Sequence, residues 1–211
     1  MKSRFRFVLL AFIPLLFLIS MGFAFLASPS AEPMPEALVA LQSDAHIHVK
    51  GETWLEFEPT EIQANTGFII YPGGRVDYRA YAPLARQIAE QGYLVVLLKM
   101  PFDLAVFDPN AANEVIRSYP EVSRWAVGGH SLGGAMAASF AGANPQQVSG
   151  LVLWAAYPPQ NTDLSALSLS ATSIYASLDG LATTIDIQDS ISRLPANTIY
   201  VEIEGGNHAQ F

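Results

Sequence analysis

A serine, an aspartate and a histidine are spaced along this 211-residue chain in an order that acyl-transfer chemistry can use. Ser131 stands between glycines in Gly129-His130-Ser131-Leu132-Gly133. A serine hydroxyl is a poor nucleophile until a base takes its proton. His208, in Gly205-Gly206-Asn207-His208, is the candidate base, because a neutral imidazole accepts that proton and later gives it to the leaving group. Asp179, in Ser177-Leu178-Asp179-Gly180, is the candidate third member. A carboxylate in that role holds the imidazole in one tautomer and stabilises the imidazolium. Asp186 and Asp189 are rival acids, and Asp179-Gly180 also reads as an ordinary turn pair. An oxyanion formed at Ser131 needs two N–H donors. Leu132 offers one, at the start of the helix expected after Ser131. Tyr71-Pro72-Gly73-Gly74 offers the other, Gly74 ahead of Gly73, because glycine lets the backbone approach a substrate closely.

These groups need elements to position them. Trp125-Ala126-Val127 reads as a buried strand and residues 135–141 as a small-residue helix, so Ser131 falls on the sharp strand-to-helix turn of a nucleophile elbow. Gly129 and Gly133 lie where strand and helix cross. Residues 46–50 and 54–58 alternate apolar and polar and read as antiparallel strands around Gly51. Residues 67–71 form a short apolar strand. Asp77 can cap a helix with an apolar face of Tyr81, Leu84, Ala85 and Ile88, ended by Gly92. Residues 93–100 are a continuous apolar strand, which suits burial on both faces of a parallel sheet. A weaker helix over 110–118, strands over 151–156, 172–176 and 198–203, and a short helix over 187–194 complete the pattern. Strands alternating with helices predict an α/β fold, a mostly parallel central sheet flanked by helices. Active groups in such a sheet sit beyond the carboxyl ends of strands, where Ser131, Asp179 and His208 all fall.

Composition narrows the function further. From residue 31 onward there are 8 Lys and Arg against 19 Asp and Glu. This acidic balance argues against nucleic acid as a partner, since phosphate binding needs a basic face. Cysteine is absent, which excludes disulfides, thiolate metal sites and cysteine nucleophiles. His46 and His48 share one strand face and could mimic a metal pair, but no third ligand is evident, so no metal is expected. Neither does the serine chemistry require a cofactor.

The N-terminus predicts a different environment. Residues 7–27 are an uncharged apolar run of bilayer-spanning length, preceded by Lys2, Arg4 and Arg6. The reading favoured is an uncleaved anchor (residues 1–27) with the remainder outside the cytoplasm. A cleaved signal peptide, giving a secreted protein, is the rival. Residues 28–36 read as a Pro-rich linker, and the folded domain is expected over 37–211.

From about residue 44 to the end, the chain resembles the α/β-hydrolase superfamily. It looks most like the small, lidless, dienelactone-hydrolase-like branch. The resemblance rests on Tyr71-Pro72-Gly73-Gly74, Gly129-His130-Ser131-Leu132-Gly133, Asp179-Gly180 and Gly206-Asn207-His208. It implies a serine hydrolase acting on a small-molecule ester or related acyl bond. The family usually carries a cap before the acid strand; here residues 157–171 are too few for a helical lid. The family's last helix, after the histidine, is also missing, because the sequence stops at Phe211. Acyl transfer to an acceptor other than water, or a non-catalytic binding role on the same fold, are the alternatives.

Overall fold

The computed structural model describes residues 32–210, together with 20–22, 24 and 28–30. The apolar run at 7–27 lies outside the described residues except for Ser20, Met21, Gly22 and Ala24. Among the described residues no helix is long and apolar enough to cross a membrane. The chain divides into two units, Met1–Ser30 and Ala31–Phe211, and the second carries the fold.

Eight strands form one sheet in the order β1-β2-β4-β3-β5-β6-β7-β8. They are β1 (Ile47–Lys50), β2 (Trp54–Pro59), β3 (Thr66–Tyr71), β4 (Leu94–Leu98), β5 (Arg124–His130), β6 (Gly150–Trp154), β7 (Ser170–Ala176) and β8 (Ile199–Ile203). The β1–β2 and β2–β4 pairings are antiparallel, and all later pairings are parallel. The expected α/β architecture is therefore present. Five helices accompany the sheet among the described residues: α1 (Pro35–Ala40), α2 (Ala82–Ala89), α3 (Ala112–Ser118), α4 (Leu132–Ala143) and α5 (Thr184–Ser190).

The period-2 alternation of strand side chains divides the core. Phe68, Ile70, Val95 and Leu97 face one side, against Ala82, Ala85 and Ala89 of α2. Ile69, Val96, Leu98, Val127 and Leu153 face the other, against Ala137, Ala138 and Phe140 of α4. Every residue of β4 is buried, as its unbroken apolar run requires of an interior strand. Among the described residues β8 has one neighbouring strand, and Ile199 is 61% and Val201 41% exposed.

Several boundaries differ from the sequence reading, each for a local reason. Asp77 does cap, its carboxylate accepting from the Arg79 N–H at 2.9 Å, but what it caps is a 3-10 turn over Tyr78–Tyr81. Pro83 has no N–H to donate backwards, so the regular helix starts only at Ala82, where proline fits the first turn. Helix α5 begins earlier than residue 187. A reciprocal capping box sets its start: the Thr183 hydroxyl accepts from the Asp186 N–H at 3.2 Å, and the Asp186 carboxylate accepts from the Thr183 N–H at 2.9 Å. A 3-10 turn over Ile191–Arg193 continues it. Helix α1 starts at Pro35, inside the segment read as linker, and buries Ala37 and Ala40. No helix lies between β6 and β7, in keeping with a lidless arrangement.

Candidate active site

Ser131 occupies the single residue between β5 and α4. The strand extends to His130, three residues beyond the run read from sequence, because Gly128 to His130 pair with Val152 to Trp154 of β6. Ser131 has φ 53° and ψ −121°, a conformation that costs a non-glycine residue free energy unless its surroundings impose it. They do. The Ser131 N–H donates to the Trp154 carbonyl at 2.9 Å, and its carbonyl accepts from the Ala135 N–H at 3.1 Å. A Cβ on Gly129 would come within 2.5 Å of the Tyr71 carbonyl oxygen, and one on Gly133 would strike the Tyr71 and Pro72 carbonyls. The end of β3 thus presses directly against the elbow, and only glycine permits it.

His208 lies in the loop after β8, and Asp179 in the loop after β7. The Ser131 hydroxyl donates to His208 Nε2 at 2.8 Å, and His208 Nδ1–H donates to Asp179 Oδ2 at 2.8 Å. The Asp179 side chain is fully buried, whereas that of His208 is 20% exposed. Asp179 Oδ1 accepts from the Leu181 N–H at 2.8 Å and the Ala182 N–H at 2.9 Å. Burial pushes the Asp179 pKa up. The Leu181 N–H, the His208 ring and the Ala182 N–H outweigh it, and the group stays below the usual carboxylate value. It is thus held as an anion, the state that orients an imidazole. The rival acids are placed elsewhere: Asp186 is engaged in the α5 capping box and Asp189 is exposed on that helix.

The glycine loop after β3 lies beside the first turn of α4. A Cβ on Gly74 would meet Leu132 Cδ2 at 3.0 Å. The Gly73 N–H is already engaged, donating to the Tyr81 hydroxyl at 3.0 Å. Of the two glycines proposed as donor, Gly74 is therefore the one beside Leu132 with its N–H not committed to Tyr81. An oxyanion near Leu132 would also gain from the N-terminal end of a 12-residue helix.

A cleft of about 270 Å³ opens at Ser131 and His208, walled by Leu132, Ala155, Tyr157 and Leu181. Sequence reasoning placed Ala155 inside a strand. The structure ends β6 at Trp154 and turns Ala155 to φ 44°, so that it lines the cleft. An alanine carries no sequence signal for such a turn. Tyr81 and His130 were also missed as partners of the site. Tyr81 read as part of an apolar helix face, and nothing in sequence links it to a residue 49 positions away. Among the described residues no three His, Asp or Glu side chains gather to hold a metal ion, and His46 pairs instead with Glu61 at 3.4 Å.

Comparison with known proteins agrees with this architecture. A crystal structure of a predicted CIB-like hydrolase from Thermoplasma acidophilum is similar with a TM-score of 0.57 and 17% identity, over 77% of this chain and 90% of that one. At that identity the likeness speaks for the fold alone. No curated protein matches the sequence. The model of the alpha/beta hydrolase family matches residues 67–211, from the second residue of β3 through the loops that carry Asp179 and His208, and the chain belongs to that family.

Proposed function

We propose that this chain is a serine hydrolase that cleaves carboxylic esters or related acyl bonds through an acyl-enzyme. Family membership supports a hydrolase acting on a small molecule. The narrower reading is carried by one observation: His208 stands between Ser131 and Asp179, with hydrogen bonds of 2.8 Å on both ring nitrogens. Ser131 Oγ attacks the acyl carbon while His208 Nε2 takes its proton. The leaving alkoxide receives that proton as the tetrahedral intermediate collapses. Water then repeats the sequence and releases the acid. Leu132 and Gly74 N–H groups bind the oxyanion in both halves.

Titration with a fluorophosphonate tests the reading. Covalent labelling of one serine per chain, mapped to Ser131, is the expected result, and no labelling would refute it. Hydrolysis of an ester panel, with alcohols or amines added as competing acceptors, then separates hydrolysis from acyl transfer.

The cellular setting is also our proposal, and it rests on sequence alone. Lys2, Arg4 and Arg6 before the apolar run place the enzyme outside the cytoplasm on a single anchor. External protease on intact cells is expected to digest the enzyme domain. Protection until lysis would reverse the assignment.

A further inference from the structure

His130 is 7% exposed and both of its ring nitrogens are engaged, although it has no part in the chemistry above. Its Nδ1 lies 2.9 Å from the Tyr81 hydroxyl, and its Nε2 lies 2.7 Å from the backbone carbonyl of His208. The proton positions follow from the two ends of this chain of bonds. The His208 carbonyl can only accept, so His130 Nε2 carries the hydrogen. At the other end the Gly73 N–H can only donate, so the Tyr81 oxygen accepts it and turns its own hydrogen to His130 Nδ1. A neutral imidazole with one N–H satisfies every atom. Burial holds the His130 pKa below the ordinary histidine value, which favours that neutral form.

The line of bonds therefore runs Gly73 N–H to Tyr81 O–H to His130 Nδ1, and His130 Nε2–H to the His208 carbonyl. It begins in the glycine loop after β3, passes through the residue preceding Ser131, and ends on the backbone of the base. Three elements that must stay in register are tied by one directional network. The tie matters most at the His208 end, since among the described residues β8 has a single neighbouring strand.

We infer that Tyr81 and His130 are positioning residues of the hydrolase site, which set the His208 backbone and the Gly73–Gly74 loop relative to Ser131 without touching substrate. The inference rests on the serine-hydrolase reading. Displacing a reacting group by about an ångström costs up to about 100-fold in rate. Tyr81→Phe keeps the ring and removes both bonds of the hydroxyl. His130→Leu removes both bonds of the imidazole. His130→Gln keeps an N–H near the position of Nε2.

The test uses the full chain in four forms, wild type and the three variants, with fluorophosphonate labelling rates, hydrolysis of p-nitrophenyl acetate, thermal midpoints and histidine ring 15N NMR. Tyr81→Phe and His130→Leu are expected to lower the labelling rate and kcat by about 10- to 100-fold with KM little changed. His130→Gln should recover most of the loss. The spectrum should show His130 protonated on Nε2 and His208 on Nδ1. Labelling of Tyr81→Phe and His130→Leu at the wild-type rate, or a His130 proton on Nδ1, would overturn the inference. If His130→Leu does not fold, Tyr81→Phe and the tautomer decide it. A wild-type chain that takes no label would count against the hydrolase itself, and the tautomer would still decide the network.

Discussion

The two sides of the candidate proton transfer are built in opposite ways. Ser131 directly follows a strand with neighbours on both sides, beside glycines that let β3 and α4 approach it. Its unusual φ is imposed by the backbone around it. His208 follows the edge strand, in a short loop held by a few bonds. The Leu178 N–H donates to the Gly206 carbonyl at 3.0 Å, the Gly205 N–H to the Ser177 hydroxyl at 2.8 Å, and the Ala209 N–H to the Asn207 side chain at 3.0 Å. The difference teaches that the position of the candidate nucleophile is a property of the core, while that of the candidate base is a property of local polar contacts. Damage to the first should register as lost stability, and damage to the second as lost rate.

Four substitutions and one change of pH would break or sharpen that contrast. The largest effect is expected from Ser131→Ala, which removes the reacting atom: kcat for an activated ester should fall by about 10⁶-fold with the thermal midpoint nearly unchanged. Turnover within about tenfold of wild type would take Ser131 out of the chemistry. Asp179→Asn should cost about 10⁴-fold, because the amide favours the wrong imidazole tautomer. Steady-state rates on the same ester check this.

The third comparison sets elbow against loop. Gly133→Ala drives a methyl into the Tyr71 and Pro72 carbonyls and should destabilise by about 3 kcal/mol in urea unfolding. Asn207→Ala removes the bond to the Ala209 N–H and should cost about 1 kcal/mol or less in the same experiment. Its kcat should nonetheless fall by about tenfold, as expected of a misplaced base. Equal stability losses in the two variants would erase the contrast.

The smallest effect is a pH dependence. The folded pKa of Asp179 is depressed, so the stability its ionised form contributes is present above the unfolded value, about 3.9. It is lost as pH falls through the lower, folded value. The stability gap between wild type and Asp179→Asn should hold steady above about pH 5 and shrink below pH 4. A gap that widens on acidification would contradict the anionic assignment.

Much of this site could be read before any coordinates. Ser131, Asp179 and His208 each carry a local signature, a residue of reactive type just past an apolar run that ends in glycine or a turn. Such signatures survive because strand, turn and helix preferences are short-range. What could not be read depends on contacts between distant segments. Sequence could rank Gly74 ahead of Gly73 but could not supply the contact that tells them apart. Only the approach of Tyr81, from the 3-10 turn that precedes α2, separates them. His130 reads in sequence only as part of the elbow, with local packing or hydrogen bonding, whereas its bond to the His208 carbonyl spans 78 positions. The α5 start was missed although its signal is local: Thr183 and Asp186 have the spacing of a capping box, and the sequence reading began the helix only at residue 187.

The exposure of β8 has a consequence for handling as well as for chemistry. Its outer rim carries backbone N–H and C=O groups with no strand partner among the described residues, beside the apolar side chains of Ile199, Val201 and Ile203. Such a rim is a template on which another extended chain can add. Glu202 and Glu204 place negative charge along it, and like charges on two copies repel at low salt. Salt screens such repulsion. Concentrated samples should then associate through the strand that leads into His208, and catalytic function would fade in storage while the circular dichroism spectrum still looked native.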